Sequence, residues 1–559
     1  NGLDFAAALE AVAVNTVFTT HTAVPAGHDH FSEETIRTCF ADYCLATGIG
    51  HEALMNLGRT STSPDFNMTA LAVRGSRYQN GVSKIHGGVS SRMLSEFWPQ
   101  IDPGENPIDY VTNGVHVPTF LSDDWTHAFE RFISAAWTQH LGDQSWWSHT
   151  DQLPDQSFWS VRQYLKARML HLVRYRVREQ HLRNHGSEAH LDRLYQYANP
   201  DDPNVLTIGF GRRFATYKRA ALLFEDMDRL RAILSNPERP VLFIFTGKAH
   251  PADGPGQDTI RRVVQISKMP EFEGKILFVE GYDLRLARRL VAGVDVWLNN
   301  PIYPLEASGT SGMKAGMNGV INLSVLDGWW GEGHEPGNGW GIKPASVEQD
   351  DARRNHEDAS SLYELLEDQV IPLYYARGNT GFSSQWIRIA KRSMATILPK
   401  FNASRMVGEY LSKFYLPASR HGRDFAEGDF GAPRQLAAWK QRVRARWQGV
   451  SVRRLDAPTR RIQFGERLRV EVAVQLDGLS ASDVVVELVL DQGTFGPEGV
   501  PRFRYLPLAA DRTPAHEGET HFVLDLAPEV CGQLNYRIRC FPHHPQLTHR
   551  FELGLMIWI

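Results

Sequence analysis

Val205-Leu206-Thr207-Ile208-Gly209-Phe210 is a short apolar run with no helical spacing, and it reads as a buried β-strand. Three similar runs follow: Pro240-Val241-Leu242-Phe243-Ile244-Phe245, Lys275-Ile276-Leu277-Phe278-Val279 and Val294-Asp295-Val296-Trp297-Leu298. Helical stretches at 217–234, 257–268, 283–292, 313–318 and 359–376 lie between or after them. Strands that are apolar throughout and alternate with helices predict a doubly wound parallel sheet, covered on both faces. Its ligands belong at the carboxyl ends of the strands.

Outward from this sheet the pattern changes twice. Residues 1 to about 112 mix amphipathic helices with polar loops. Ala6–Val14 reads as a helix, Val17–His21 as a short strand ending at a histidine, and Asn80–Met93 as a helix. Long helical patterns fill 120–195. A break is expected near 445–452, after a basic helix over Leu436–Trp447. Beyond it, Leu468–Val474 and Val484–Leu490 alternate between Gly and Pro turns, which predicts a β-sandwich of about 100 residues. The expected units are therefore 1–112, 113–448 and 449–559.

The bulk numbers exclude several classes. At 559 residues the chain exceeds a single core. Its net charge of −4 offers no basic footprint for nucleic acid. No apolar run approaches the roughly 20 residues that span a bilayer. Four cysteines, Cys39/Cys44 and Cys531/Cys540, lack the spacing of a disulfide framework or zinc site, which fits a reducing, cytoplasmic setting. His21, His28 and His30 lack the i, i+4 pairing of zinc motifs, so no metal is expected. The opening Asn1-Gly2-Leu3-Asp4-Phe5 has neither a signal peptide nor an initiator methionine and reads as the middle of a longer protein.

Two strings carry the chemistry. In Pro304-Leu305-Glu306-Ala307-Ser308-Gly309-Thr310-Ser311-Gly312-Met313-Lys314 small residues precede one lysine, which sits about a turn into a helix. Ser308–Gly312 can present backbone N–H groups to an anion. A lysine beside such a cradle suits pyridoxal phosphate, which needs an amine for its aldehyde and donors for its 5′-phosphate. The second string, Gly211-Arg212-Arg213-Phe214-Ala215-Thr216-Tyr217-Lys218-Arg219, concentrates cations at the end of the strand 205–210 and suggests a polyanion site.

Both strings resemble the α-glucan phosphorylases (glycogen, starch and maltodextrin phosphorylase), in particular the short bacterial type. Glu-Ala-Ser-Gly-Thr followed by Met-Lys resembles that family's cofactor-lysine motif, and a basic pair before Tyr-Lys-Arg its phosphate motif. Phe18–Pro25 resembles its His-Thr-x-x-Pro run, and Tyr110-Val111-Thr112-Asn113-Gly114 the Thr-Asn-Gly segment joining its two halves. Asn80-Gly81-Val82 also matches the run before that hinge.

The resemblance implies a GT-B-type α/β fold with a Rossmann-like catalytic domain, of whose amino-terminal half residues 1–112 are the tail. It implies pyridoxal 5′-phosphate on Lys314, with Arg212, Tyr282, Gly309, Thr310 and Ser311 around it. Arg213 and Lys218 would bind substrate phosphate, and His21, Asn113, Glu306, Ser308 and Gly309 the sugar, with His21, Arg213, Lys218 and Lys314 catalytic. Ala215 and Asp283 depart from the pattern at positions where the family often has His and Arg, and Phe120 stands where animal enzymes have Trp. The implied partners are α-1,4-glucan and inorganic phosphate. The implied reaction is phosphorolysis to α-glucose 1-phosphate with retention, the cofactor phosphate shuttling the proton. A carboxylate pair of the usual glycosidase kind is not part of it. The rival readings are a nucleotide-sugar-dependent GT-B glucan synthase and a catalytically silent glucan-binding protein. Trp329, Trp330 and Trp340 read equally as sugar platforms or core, and the oligomeric state is left open.

Overall fold

The computed structural model describes residues 2–457, 466–495, 501–511, 518–527 and 535–559, and Cys531 lies outside them. A six-stranded sheet forms its centre, built from Leu206–Gly211, Val241–Thr246, Ile276–Val279, Val296–Asn299, Ile321–Val325 and Gly339–Ile342. All the pairings are parallel. Starting from 339–342 the spatial order is 339, 321, 296, 206, 241, 276. The order in which successive strands are added therefore reverses between Leu206–Gly211 and Val296–Asn299, the adjacent parallel pair where Ile208 meets Val296. Such a switch point opens a crevice beyond the strand ends.

Period-2 geometry explains why these strands carry no polar face. Val241, Phe243 and Phe245 point into one apolar cluster, together with Leu230 and Val263 from helices Met227–Leu234 and Gly254–Ser267. Leu242 and Ile244 point into another on the opposite face, with Met169, Val173, Leu286 and Leu290 from helices Asp155–Arg183 and Leu284–Gly293.

Several expected elements differ in their bounds. The stretch 217–234 is a helix only over Met227–Leu234. Before it come two single 3₁₀ turns, Thr216–Lys218 and Leu222–Phe224, separated by Arg219 in the left-handed conformation (φ 49°). Arg219 is buried, and its guanidinium donates to the Asn300 and Pro301 carbonyls and to Asp358 at 2.6 Å. The stretch 80–93 divides into strand Tyr78–Gly81 and helix Lys84–Met93, because Ser83 caps the helix by accepting from the His86 N–H. The strand before His21 ends at Thr19. The basic helix belongs to Leu416–Arg446, which is interrupted by left-handed residues at 428–430.

Val17–Thr19, Tyr78–Gly81 and Ile108–Tyr110 form a separate three-stranded parallel sheet. After residue 450, two four-stranded sheets with antiparallel pairings contribute Val470, Val472, Val486, Leu488 and Ile538 to one apolar cluster with Leu436 and Trp439. Among the described residues no helix is long and apolar enough to cross a membrane, and Cys39, Cys44 and Cys540 are unbridged.

A buried ion pair fixes the long helix Asp155–Arg183 to the amino-terminal side of the sheet. Lys166 Nζ lies 2.5 Å from Asp295 Oδ2 and 3.1 Å from Tyr374 Oη, and Asp295 also accepts from Thr207 N–H at 2.8 Å. Lys166→Met strands the Asp295 charge in the core. It is expected to cost about 3–5 kcal/mol of stability, measured as a fall in the urea midpoint at unchanged m-value.

Candidate functional site

The two cationic strings meet at the switch point. Arg212 is the first residue beyond Leu206–Gly211, and its guanidinium reaches across to Asn299 Oδ1, at the end of the adjacent strand. It also donates to Glu306 Oε2 at 2.5 Å. Lys218 Nζ bonds both oxygens of the same carboxylate, at 2.7 and 2.6 Å. All three side chains are largely withdrawn from water. Burial pushes the Glu306 carboxyl up, but Arg212 and Lys218 outweigh it and hold the group below its ordinary range. Burial first, and the Arg212 charge second, bring the Lys218 ammonium down to about 8 against the pull of Glu306.

Backbone geometry holds the Glu306 loop. Asp327 accepts from Glu306 N–H at 2.9 Å and from Gly328 N–H at 2.7 Å. Gly328 sits at φ 54°, and a Cβ there would lie 2.4 Å from the Ser308 carbonyl oxygen, so only glycine lets the two loops touch. Burial raises the Asp327 carboxyl to about 7, the neighbouring Glu306 charge adding to it and the two N–H donors opposing it. Ser308 Oγ and Arg212 Nε are buried here with no hydrogen-bond partner.

Lys314 approaches along helix Ser311–Met317. Its amine stands 4.1 Å from the centre of the Phe120 ring, and burial lowers its pKa. Trp297 Nε1 donates to Ser311 Oγ at 3.1 Å, and Asn318 Nδ2 donates to both the Lys314 and Phe120 carbonyls. The helix is thus pinned at both ends. Tyr282 lies beside the same strand end, its hydroxyl 3.4 Å from the Gly211 carbonyl oxygen. Asp283 caps helix Leu284–Gly293 and pairs with Arg176 at 2.6 Å, a structural use of that position.

The structure therefore gathers Arg212, Lys218, Glu306, Ser308 and Tyr282 around the switch point. Arg213 is exposed at its rim. His21 lies exposed on the loop after Val17–Thr19, and partial burial lowers its pKa. Asn113 is half-buried, its carbonyl accepting from Arg405 at 3.2 Å. The segment containing it is tied to helix Trp330–Gly333 by Glu332, whose Oε1 accepts from Thr112 Oγ1 at 2.8 Å and Lys84 N–H at 3.1 Å. Trp329, Trp330 and Trp340 are buried in the core, which decides against their reading as sugar platforms. Sequence reading assigned no role to Asn299, Asn318, Asp327 or Glu332. Their only signal was a polar residue next to an apolar strand or a glycine. Among the described residues no group of three His, Cys, Asp or Glu side chains is placed to hold a metal.

Residues 2–332 match the family described as carbohydrate phosphorylase, and 447–559 match the glycogen phosphorylase C-terminal domain. The chain is 40% identical to the maltodextrin phosphorylase of Thermococcus litoralis over 100% of its own length and 64% of that protein's. It is 37% identical to the glycogen phosphorylase of Mycobacterium tuberculosis over 99% of its length and 64% of that protein's. With the glycogen phosphorylase of Aquifex aeolicus it shares 41% identity, over 74% of this chain and 59% of the relative. The chain thus spans less than two thirds of the length of these relatives.

Asp327 gives a pH test of the loop geometry. Its folded pKa, about 7, stands above the ordinary 3.8, so the native state holds the extra proton between these values. This contribution is full below about pH 4 and is lost as pH rises toward 7. Urea midpoints followed across that window should fall less steeply in Asp327→Asn than in the wild type.

Proposed function

The chain belongs to the carbohydrate phosphorylase family, and on that premise we propose that it carries the cofactor-bearing part of an α-glucan phosphorylase. The reaction is cleavage of terminal α-1,4-glucosidic bonds of glycogen, starch or maltodextrin by inorganic phosphate, giving α-glucose 1-phosphate with retained configuration. The parallel sheet is read as the Rossmann-like half of a GT-B-type enzyme, residues 1–112 as part of the other half, and the two sheets beyond 450 as an accessory β-sandwich. A cytoplasmic setting fits this metabolism.

The observation that carries the proposal is the excess of cation at the switch point. Arg212 and Lys218 share one carboxylate, Glu306, and Arg213 stands at the rim. Two phosphate groups brought together repel strongly, and unneutralised cations in a partly dry site offset that repulsion. Arg213 and Lys218 are assigned to substrate phosphate and Arg212 to the cofactor phosphate. Glu306 orients both buried cations and keeps lone pairs for sugar hydroxyls, next to Ser308 and Gly309. His21 and Asn113 hold the sugar from the other side.

The residues present fit pyridoxal 5′-phosphate. Lys314 has an amine that burial favours in the neutral, nucleophilic form, with an aromatic ring beneath it. Buried Arg212 Nε lacks a partner, and Tyr282 with the Gly309–Ser311 amides completes the donor set. Bound there, the cofactor would supply a phosphate monoester with a second pKa of about 6, suited to proton exchange near neutrality. Lys218, lowered by burial only to about 8, still carries its proton at neutral pH and keeps the phosphate site cationic while proton positions change.

The test is borohydride reduction of the full-length protein loaded with pyridoxal phosphate, followed by mapping of the labelled peptide. The label is expected on Lys314 and is lost in Lys314→Ala; a label elsewhere defeats the assignment. Lys218→Ala should keep the label, while its KM for phosphate rises about 10- to 100-fold, the worth of one hydrogen bond to a charged group.

A further inference from the structure

Residues 327–333 touch both sides of the crevice. At the first end Asp327 accepts from Glu306 N–H at 2.9 Å, and Trp329 N–H donates to the Ser308 carbonyl at 2.9 Å. At the other end Glu332 Oε1 accepts twice, from Thr112 Oγ1 at 2.8 Å and from Lys84 N–H at 3.1 Å. Between the ends Trp329 and Trp330 are buried. Gly331 passes so close to helix Lys84–Met93 that a Cβ on it would lie 2.4 Å from Ile85 Cδ1. A stretch this short and this closely packed carries position from one end to the other.

The two groups that Glu332 holds stand on either side of Asn113's own supports. Thr112 precedes Asn113 and is 4% exposed, and its hydroxyl donates to Glu332. A buried hydroxyl deprived of that acceptor is costly, so the contact is strongly preferred. Lys84 begins the helix whose preceding residues are also committed. Ser83 donates to the Ala307 carbonyl at 2.7 Å, inside the loop that carries Glu306 and Ser308, and Val82 accepts from Asn113 N–H at 3.1 Å. Arg405 donates to the Asn113 carbonyl at 3.2 Å. The backbone of Asn113 is therefore held on both sides, while among the described residues its side-chain amide takes no part in the bracing. One carboxylate oxygen closes the circuit from Glu332 through Thr112, Asn113, Val82 and Lys84 back to itself.

We infer that Glu332 is a positioning residue, which locks Thr112-Asn113 and the start of helix Lys84–Met93 to the loop of Glu306 and Ser308 and so fixes the spacing between sugar and phosphate. The inference rests on the roles proposed above for Asn113 and for the cations at the switch point. Glu332 acts on the sugar only through Thr112 and Lys84. What it supplies is one accepting oxygen for two donors, which an amide can also supply and an apolar side chain cannot.

The experiment uses the full-length protein loaded with pyridoxal phosphate. Glu332→Met keeps the side-chain length and removes the acceptor, Thr112→Val removes the hydroxyl donor, and Glu332→Gln keeps an accepting oxygen. In Glu332→Met, hydrogen exchange of the peptide 110–116 should accelerate about tenfold, while the strand 206–211 stays protected. The kcat for maltoheptaose phosphorolysis should fall about 100-fold, the scale of a misplacement of about 1 Å, with the KM for phosphate and the borohydride label on Lys314 unchanged. Thr112→Val should lower kcat in the same direction, and the double variant should lose little beyond the larger single loss. Glu332→Gln should recover most of the activity. Unaltered exchange at 110–116, losses that multiply in the double variant, a phosphate KM that moves with kcat, or no recovery in Glu332→Gln overturns the inference. Where Glu332→Met does not fold, Thr112→Val decides by the same exchange and kinetic readouts. A wild type that does not cleave maltoheptaose refutes the reaction proposed above, and exchange at 110–116 then decides the brace by itself.

Discussion

One carboxylate shared by two cations organises this molecule's functional end. Removing Glu306, Arg212 and Lys218 from water together costs several kcal/mol per ion, and their mutual attraction offsets that only in good geometry. The geometry comes from the backbone. Arg212 leaves one strand at the switch point, Lys218 returns on a short 3₁₀ turn, and Glu306 is delivered by the loop after the neighbouring strand. Asp327 then fixes Glu306 through its N–H, without repelling the Glu306 charge at full strength, because burial raises its own carboxyl to about 7. Sheet order, turn conformation and charge placement are one constraint seen at three scales.

The four strand runs around 205–298 were legible because a strand covered on both faces has no polar alternation to hide it. Ile321–Val325 and Gly339–Ile342 were not read as strands, since Asn322 and Ser324 sit inside the first and three glycines or tryptophans crowd the second. Helix limits around 217–234 failed for a local reason. Arg219 adopts a left-handed conformation that nothing in its side chain announces, and it is held there by carbonyls about 80 residues away in sequence. The site was legible in its charged residues and illegible in its supports. Asn299 acts through the Arg212 and Ser324 side chains, and Asn318, Asp327 and Glu332 chiefly through backbone groups, all partners that only the fold brings near.

The tryptophans teach a related lesson. Trp329 and Trp330 follow Asp327-Gly328 in a pattern that suits a sugar platform, yet both are buried, Trp330 donating to the Trp340 carbonyl at 3.1 Å. Trp329 also stands 2.8 Å from where a Gly312 side chain would begin, so its bulk shapes the lysine helix from behind. A large side chain near a site can serve it by filling volume, and sequence pattern alone does not separate that from contact with ligand.

Buried charge elsewhere in the chain follows a different rule. Glu10 and Glu552 face Arg77 and Lys440, two against two, where the amino-terminal segment meets the long helix and the last sheet. Glu105 and Glu487 face the buried Arg539, and the exposed Arg550 beside Glu487 makes the count two against two. Lys166 faces Asp295 with the buried Arg162 close by, whose guanidinium donates to backbone carbonyls, and Arg219 faces Asp358. The two four-membered clusters close on themselves, and the extra Arg162 charge is taken up by three backbone carbonyls. At the switch point two buried cations face one ionised carboxylate, with Arg213 exposed beside them. The same side chains thus serve two ends: held by carboxylates and carbonyls where segments are joined, and in excess over one carboxylate at the switch point, as the proposed anion site requires.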